Sequence, residues 1–500
     1  MSKDNFVKNS FILCVSNSTM GVLRFIFSVI LSKRLGAEGM GLYSLIMPIF
    51  DIFCSLVCGG LIAALSKECA VYFEKKQYNN LHNLVSAATK FDFIWALLIG
   101  IFIFFVSPFL CNHIIKDSRA VYSIQVISPA LIFIGLSSIL KGYFYGIAKV
   151  TLPAVIDIVE KAIRILIVIF SVSFIPSNNI QDTVTIVYAA LSIGELISFI
   201  LLYLSYKYYK NKYSKTSEVS ERKSQLLFNV LIVSIPLCLN GFLSTAIGAA
   251  STLIIPLRLI SAGFTHSEAL SMVGKFTGMA LNISLFPIMI VTSLNIVLIP
   301  DISQSLSKKD YFSLQTRIES VLRFSFLVGV STFVICSIIP DYLGKLFFNR
   351  MDIINYIKFS AMSAPFVFVS ITTYSILSGL GKQTAILKIS ILTSVEELIL
   401  LYILTAIPWI NIYSYGISLT ISCITSIILN IIEIKKLCYI HISKPILTID
   451  ALIFVLNYLA LKLIKYYSPL TNTNINAVII LITGFSLYFL TTYFLNKKIS

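Results

Sequence analysis

Two charged side chains lie inside the first two long apolar segments of the sequence, where an unpaired charge is energetically unfavourable. Arg24 has no acidic residue within four positions, and its planar guanidinium can bind a phosphate through two parallel hydrogen bonds. Asp51 follows Pro48 by three residues and could orient Arg24 or carry a coupling proton or cation. A structural ion pair between Arg24 and Asp51 explains the two residues equally well, so both interpretations remain open.

Four further charges form a stripe in the fifth apolar segment, at Asp157, Glu160, Lys161 and Arg164. Their spacing of three, four and seven residues from Asp157 places them on one face of a helix. The spacing predicts the ion pairs Asp157–Lys161 and Glu160–Arg164. Because such a stripe cannot face lipid, it either neutralises itself inside the helix bundle or forms the polar wall of a cavity.

The remaining polar candidates lie singly. Glu195 and Glu396 lie inside the sixth and eleventh apolar segments and suit either a proton relay or a neutral acid without function. Arg258 and Lys275 flank the outer ends of the seventh and eighth segments, as interfacial anchors or as cavity lining. Asn282 is a polar group within the eighth segment. We predict that Arg258, Lys275 and Asn282 bind substrate together with the first-segment arginine.

Motifs of covalent, hydrolytic or metal chemistry are missing from the sequence. It contains no Walker A, GxSxG or HExxH pattern. The nine cysteines form no CxxC pair and the four histidines are far apart, which argues against a disulfide framework or a metal site. We therefore predict that the protein is not an enzyme and has no cofactor or metal, with coupling to a cation gradient or to the membrane potential left open.

The composition excludes a soluble protein. Only 12% of the 500 residues are charged and 57% are hydrophobic, with a mean hydropathy of +0.89, whereas soluble domains carry about 25% charged residues. The net charge of +16 comes mainly from short loops between apolar segments, where it indicates topology and not nucleic-acid binding. The segments are too long and too evenly apolar for β-strands, so the predicted fold class is an all-α polytopic membrane protein.

Segments of about 20 apolar residues are long enough to cross the hydrocarbon core as helices. Fourteen are predicted, at residues 10–32, 41–64, 91–110, 122–146, 150–173, 184–206, 226–255, 270–299, 320–340, 357–380, 384–407, 414–434, 446–464 and 475–495. The first is too long for the hydrophobic part of a signal peptide and contains an arginine, so it reads as a membrane span.

Loop charges predict the orientation. The segment from Lys207 to Lys223 holds six lysines and arginines, whereas the loops near 174–183 and 407–413 hold none. Because basic loops stay in the cytoplasm, we predict that both termini are cytoplasmic.

The chain repeats itself at an offset of 233 residues. Residues 146–151 match 379–384, residues 75–78 match 308–311, and Gly41 matches Gly274. Six helices per repeat predict two parallel lobes with a substrate cavity between them. We therefore divide the chain into an N-lobe, a basic cytoplasmic linker, a C-lobe and two extra helices, at residues 1–206, 207–225, 226–440 and 441–500.

The loop at residues 31–43 carries a signature within this architecture. Its sequence, LSKRLGAEGMGLY, resembles the LG-x-EG-x-G-x-Y pattern of polysaccharide and lipid-linked oligosaccharide flippases in the multidrug/oligosaccharidyl-lipid/polysaccharide (MOP) exporter superfamily. Pro300-Asp301-Ile302-Ser303 and the Gly-x-x-Lys turns after the fourth and tenth segments also resemble that family. The chain is most similar to its stage V sporulation protein B group, and the resemblance covers essentially the whole sequence.

The resemblance implies alternating access by two lobes. Related lipid II flippases hold a diphosphate-sugar headgroup with cations of the first, second and eighth spans. Arg24 matches the first-span arginine, the second-span cation is absent because Asp51 is the only charge there, and Arg258 or Lys275 match the later positions loosely. In the lipid-handling branch, helices 13 and 14 help to form a groove for the polyprenyl tail.

These implications predict the function of the chain. We expect a flippase that moves a polyprenyl-diphosphate-linked saccharide across the bacterial cytoplasmic membrane, with a peptidoglycan precursor such as lipid II for the spore cortex as the expected substrate. The expected partners are this substrate, membrane lipids and cell-wall synthases, and no nucleic acid. The alternatives are a cation-coupled multidrug exporter of the same fold and a membrane scaffold for cell-wall synthases.

Overall fold

The computed structural model describes residues 3–174, 179–213, 221–438, 444–467 and 478–486. These residues form helices joined by short turns, and no strand occurs among them. The predicted all-α fold class is confirmed.

Eighteen α-helices are bounded within these ranges, several of them interrupted by short turns. The first nine are α1 (Lys3–Cys58), α2 (Leu61–Glu74), α3 (Tyr78–Phe109), α4 (Val121–Ile127), α5 (Ala130–Gly146), α6 (Thr151–Phe174), α7 (Ile180–Lys212), α8 (Lys223–Ser261) and α9 (His266–Val273). The others are α10 (Leu281–Leu285), α11 (Ile288–Ser307), α12 (Tyr311–Ile338), α13 (Pro340–Leu343), α14 (Ile354–Ala361), α15 (Ala364–Gly379), α16 (Gln383–Leu404), α17 (Tyr413–Lys435) and α18 (Lys444–Tyr467). Short π-helical segments occupy 110–115, 274–280 and 344–348.

Each predicted span overlaps one or more helices where the structure describes it, and short turns interrupt several of the spans. Eight helices of the described ranges are long and apolar enough to cross a membrane, or nine if a pair bent by 58° near residues 286–287 counts as one span. Helices α6 and α16 are not among them, and they carry four and three charged residues. The count of fourteen stays a prediction, and most of its last span, 475–495, lies outside the described residues.

The signature loop is a helix with one interruption. The first predicted span and most of the second form a continuous α1, in which Gly36 alone leaves helical geometry, with φ 69° and ψ −170°. A positive φ is easily adopted only by glycine, so this residue lets the chain change direction without a longer loop. The other residues of the signature have helical backbone geometry.

The described chain divides into two compact units that do not follow chain order. The first unit contains residues 1–27 and 42–253, and the second contains residues 28–41 and 254–500. The end of the first predicted span and residues 31–41 of the signature thus belong to the second unit. The predicted division into lobes and linker rests on the sequence repeat and stays a prediction, and part of the linker, residues 214–220, lies outside the described residues.

Helix α5 is the centre of the first unit. It packs against α2, α3 and α7. Its buried residues join an apolar core in which Tyr143 and Phe144 are among the largest fully buried side chains. Because its neighbours cover almost the whole of α5, this helix holds the others in register.

In the second unit, α15 has the central place and packs against α11, α12 and α17. Helix α18 attaches to α12 through polar contacts near both ends. Arg323 binds Asp450 with an Nη2–Oδ1 distance of 2.6 Å, and Lys465 donates to Asp341 and to the carbonyl of Ile338 at 2.9 and 2.8 Å. The thirteenth predicted span is therefore fixed to the second unit by ionic contacts as well as by apolar packing.

The repeat of 233 residues is present in the backbone. Helices α3 and α12 begin at Tyr78 and Tyr311, and helices α5 and α15 end at Gly146 and Gly379. Residues with φ between 53° and 74° also recur at this offset. They are Lys76 and Lys309, Lys116 and Asn349, and Ala148 and Gly381. Left-handed backbone is uncommon outside glycine, so this agreement confirms the predicted duplication.

Two glycines related by the repeat lie against each other within the second unit. A Cβ on Gly274 would lie 1.9 Å from the Ala37 carbonyl oxygen and 2.7 Å from the Gly41 nitrogen. A Cβ on Gly41 would lie 2.0 Å from the Leu270 carbonyl oxygen. This is a small-residue helix crossing of the kind that membrane helices use for close approach. The glycines of the signature are therefore packing residues.

We expect Gly274→Ala to lower the stability of the protein, because its new methyl group meets backbone and cannot be accommodated by a side-chain rotation. Overpacking of this kind costs about 1–3 kcal/mol. The measurement is thermal unfolding in detergent. Gly248→Ala is the matched control, since a Cβ there meets nothing within 4 Å, and it should be neutral or stabilising. Equal melting temperatures for the two variants would contradict the close crossing.

Candidate functional site

Arg24 and Asp51 are exposed residues of α1 in the first unit. The Arg24 charge is close enough to act electrostatically on the Asp51 carboxyl, but the two side chains form no ion pair. Neither makes a hydrogen bond or salt bridge with any residue that the structure describes. The hypothesis of a contact ion pair is therefore wrong for this conformation, and Arg24 keeps an uncompensated charge.

The charged stripe of α6 forms a network with α7. Arg164 binds Glu160 at 2.5 Å and Glu195 at 2.7 Å, while Lys161 binds Glu160 at 2.8 Å. The predicted pair Glu160–Arg164 is confirmed, and the prediction that Glu195 stands alone is wrong. A Cβ on Gly194 would lie 2.6 Å from Glu160 Oε1, so the absence of a side chain at that position leaves room for the network.

Asp157 has a partner that helix spacing did not indicate. Its Oδ1 lies 2.7 Å from the Lys141 Nζ of α5, and Lys161 binds Glu160 instead. The predicted pair Asp157–Lys161 is therefore wrong, because Lys141 of the neighbouring helix α5 binds the Asp157 carboxylate instead. The network on α6 and α7 contains two positive and two negative groups, and the Lys141–Asp157 pair adds one of each. The interior charges of α5–α7 therefore sum to zero. This arrangement favours the interpretation as mutual neutralisation over that as an open polar wall.

Arg258, in the last turn of α8, is held by α16 within the second unit. Its Nε donates to the Tyr402 carbonyl at 2.9 Å, and its guanidinium carbon lies 4.2 Å from the centre of the Tyr402 ring. No carboxylate binds it among the described residues. Arg258 is thus anchored in position with a charge that remains available to an anion.

Lys275 lies in a polar pocket beside a compensating acid. Its Nζ is 2.9 Å from Asp352 Oδ2, and the same carboxylate accepts two hydrogen bonds from Arg350. The Arg350 guanidinium, with Lys275, lowers the pKa of the Asp352 carboxyl well below its ordinary value, so the acid is ionised. The adjoining cavity of about 280 Å³ is lined by Ser267, Glu268, Ser271, Met272, Lys275 and Tyr356.

Asn282 stabilises a helix crossing. Its amide donates to Ser28 Oγ at 2.8 Å and to the Gly278 carbonyl at 2.6 Å, and Ser28 Oγ donates to the same carbonyl. Glu396 accepts a hydrogen bond from Thr425 at 3.0 Å. Both contacts join neighbouring helices, so Asn282 in particular has an evident packing role in addition to the predicted one.

One buried acid was not among the functional residues predicted from the sequence. Asp92, in α3, is fully buried and makes no contact with a cation that the structure describes. It stands at the edge of the predicted span 91–110, where charged residues are ordinary, so hydropathy gave no signal. In the described ranges, no group of three or more histidine, cysteine or acidic side chains is arranged to hold a metal ion.

Two family models and a curated relative match the chain. A family model described as "Polysaccharide biosynthesis protein" matches residues 6–306, and one described as "MatE" matches residues 236–403. Stage V sporulation protein B of Bacillus subtilis (strain 168) is 24% identical over 472 residues, which cover 94% of this chain and 91% of that protein.

Solved structures show the same fold. The inward closed conformation of the lipid II flippase MurJ matches with a TM-score of 0.73 at 14% identity, and the match covers 99% of each chain. An inward-facing multidrug resistance MATE transporter of the MOP superfamily matches with a TM-score of 0.64 at 13% identity, over 85% of this chain and 98% of the other. The protein is therefore a multi-pass membrane protein with a transporter fold.

We expect Arg164→Met to destabilise the protein by about 3–5 kcal/mol, because it leaves buried carboxylates without their cation. Adding Glu195→Gln should restore much of the lost stability, since Lys161 and Glu160 then remain as a neutral pair. Thermal unfolding of the purified protein measures both effects.

Lys436→Met is the control for this series, because it breaks an exposed pair with Glu433 and should change stability by no more than about 1 kcal/mol. If Arg164→Met unfolds at the wild-type temperature, the network is not what stabilises α6 against α7.

Proposed function

This chain belongs to the polysaccharide biosynthesis protein family of the MOP superfamily, and from that premise we propose that it is a flippase for a polyprenyl-diphosphate-linked saccharide. The predicted resemblance to the stage V sporulation protein B group is confirmed by the relative that spans nearly the whole chain. That relative's name, and the name of the lipid II flippase of the same fold, support a peptidoglycan precursor as the substrate and spore formation as the context.

One observation in particular supports an anionic substrate. The interior charges of α5–α7 neutralise each other, whereas Arg24 is exposed and has no salt bridge with any described residue. A diphosphate supplies the two acceptor oxygens that a guanidinium binds in parallel. We therefore assign Arg24 the role of gripping the diphosphate.

The other predicted binding residues rank by how much of their charge is already compensated. Arg258 binds only a carbonyl and a ring, so its guanidinium can take a second phosphate contact. Lys275 is shared with Asp352, and a substrate anion would compete with that carboxylate. Asn282 is engaged by helix packing and would serve at most as a neutral hydrogen-bonding group.

Translocation of this kind breaks no covalent bond, so no catalytic group is required. The barrier is the transfer of a diphosphate and sugars through hydrocarbon, and a cationic site lowers it by replacing water around the phosphate. Alternating access would present that site to each face of the cytoplasmic membrane in turn, with both termini cytoplasmic. Asp51 would orient Arg24 or bind a coupling cation, and cell-wall synthases would receive the product.

A multidrug exporter is the second candidate, because the MatE model matches residues 236–403 and MATE transporters share the fold. That function predicts export of lipophilic cations. An uncompensated arginine in the first span is unfavourable for a cationic substrate, which favours the flippase.

We expect Arg24→Ala to slow flipping of lipid II in proteoliposomes by about tenfold to a hundredfold, because a hydrogen bond to a charged group contributes about 1.5–3 kcal/mol. The flipping rate of Arg24→Lys should lie between the rates of the wild type and of Arg24→Ala, since lysine keeps the charge but cannot form two parallel hydrogen bonds. Lys90→Ala, which removes another exposed cation, is the control and should flip at the wild-type rate.

The assay also separates the candidate functions. Wild-type protein should flip lipid II faster than a non-peptidoglycan lipid-linked oligosaccharide. Export of a lipophilic cation without flipping of either lipid would establish the second candidate, and a wild-type rate for Arg24→Ala would remove that arginine from the binding site.

A further inference from the structure

Asp92 is an acid that the proposed flippase mechanism does not use. Its side chain is 0% exposed, and neither carboxyl oxygen has a hydrogen-bond partner among the described residues. Its nearest neighbours are closely packed and uncharged. A Cβ placed on Gly135 of α5 would lie 2.3 Å from Asp92 Oδ2 and 2.7 Å from a methyl group of Val57, so the missing side chain at Gly135 makes the space for the carboxyl.

The acid lies deep in the first unit. At 1.5 Å per residue, Asp92 is about 21 Å from the Tyr78 end of α3 and about 25 Å from the Phe109 end. Water reaches neither oxygen in this conformation, because the side chain has no exposed surface. The carboxyl is therefore enclosed near the middle of α3, at the edge of the predicted span 91–110.

A break in the neighbouring helix lies beside this acid. Helix α1 ends at Cys58, next to Val57, and α2 begins after Gly60, which has φ 72°. The carbonyls of Ser55 and Leu56, near the end of the helix, accept hydrogen bonds from side chains of other helices. The Cys238 thiol donates to the Ser55 carbonyl at 3.3 Å, and Trp95 Nε1 donates to the Leu56 carbonyl at 3.1 Å.

The donors of both hydrogen bonds at the break, a thiol and an indole, are uncharged. A thiol is a weak donor, so the contact with Cys238 is easily exchanged for water. Trp95 lies one helical turn after Asp92 on α3, so the same helix carries the acid and one of the groups that close the break. Broken membrane helices are places where backbone and water meet during transport.

Among the described residues, no charged group acts electrostatically on Asp92, neither Lys67, Glu68 or Glu74 of α2 nor any residue of α4, which carries no charge. On α1 the nearby titratable groups are the Cys58 and Cys54 thiols. On α5, Lys141 is engaged by Asp157. On α3 itself, Lys90 is exposed and therefore points away from the buried face.

An isolated carboxylate in such surroundings is untenable, whereas the neutral acid is tolerated. A metal cation would require several oxygen ligands, and neither the Val57 side chain nor Gly135, which has no side chain, provides one. The ligand that fits is a proton.

We propose that Asp92 is a proton-binding site of the first unit, occupied while the Cys58–Gly60 break is closed to water and emptied when this break opens. On opening, the carboxylic O–H bond breaks, the proton passes to a water molecule, and the carboxylate becomes hydrated. On closing, the carboxylate must recover a proton before it is buried again. The site thereby ties the conformation of the helix break to protonation.

Infrared spectroscopy of the full-length protein in lipid vesicles tests this inference without any substrate. The wild type should show a carbonyl band of a protonated carboxylic acid at neutral pH, which shifts in deuterated water and disappears as the pH rises. Asp92→Asn should lack this band. Asp182→Asn removes an exposed carboxyl group and should keep the band.

Thermal unfolding gives an independent readout. The folded state with a neutral Asp92 binds more protons than the unfolded state, so the stability of the wild type should fall relative to Asp92→Asn as the pH rises. If Asp92→Asn does not fold, carbon-13 labelling of aspartate in the wild type still shows whether a protonated aspartate band exists and titrates.

Two results would overturn the inference. Either no protonated aspartate band occurs in the wild type, or the band persists unchanged in alkaline and deuterated buffer, which would make Asp92 a permanently neutral structural acid. Neither result bears on lipid II flipping, so failure of this inference and failure of the proposed function are separate outcomes.

Discussion

The requirement that charge inside a membrane be neutralised determines which helices of this protein are neighbours. Arg164 joins α6 to α7 because two carboxylates need the same guanidinium, and Lys141 joins α5 to α6 through Asp157. Arg323 and Asp450 fasten α18 to α12 in the same way. A buried pair adds little net stability over apolar packing, but removing one partner is strongly unfavourable. These pairs therefore act chiefly by excluding other arrangements of the helices.

The functional proposals rest on residues whose charge or polar atoms are not balanced by such a pair. Arg24 is a cation without a salt bridge and Asp92 is an acid without a hydrogen bond, in each case among the described residues. An exposed guanidinium attracts an anion, and an enclosed carboxyl retains a proton. A transported diphosphate and a bound proton are therefore two different consequences of one electrostatic constraint.

The sequence predicted contacts within a helix better than contacts between helices. The pair Glu160–Arg164 follows from a spacing of four residues, and the duplication was visible in short matches that the backbone reproduces. The partner of Asp157 was missed because it lies on another helix, where no periodicity links the two positions. Asp92 was missed because its burial arises from the fit of α5 at Gly135, which hydropathy does not measure.

The two halves of the repeat share a backbone but not their chemistry. The residue 233 positions after Arg24 is Leu257, and the one 233 positions after Asp92 is Ser325, which is buried and paired with Thr372 through their hydroxyl groups. Backbone turns and close helix crossings depend on sterics that both copies must satisfy, so duplication preserves them. A charge is retained only where a ligand or a partner balances it. Arg24 and Asp92 lie in the first copy, while the second copy holds Arg258 against a carbonyl and attaches α18, so the two copies differ in chemistry on a shared framework.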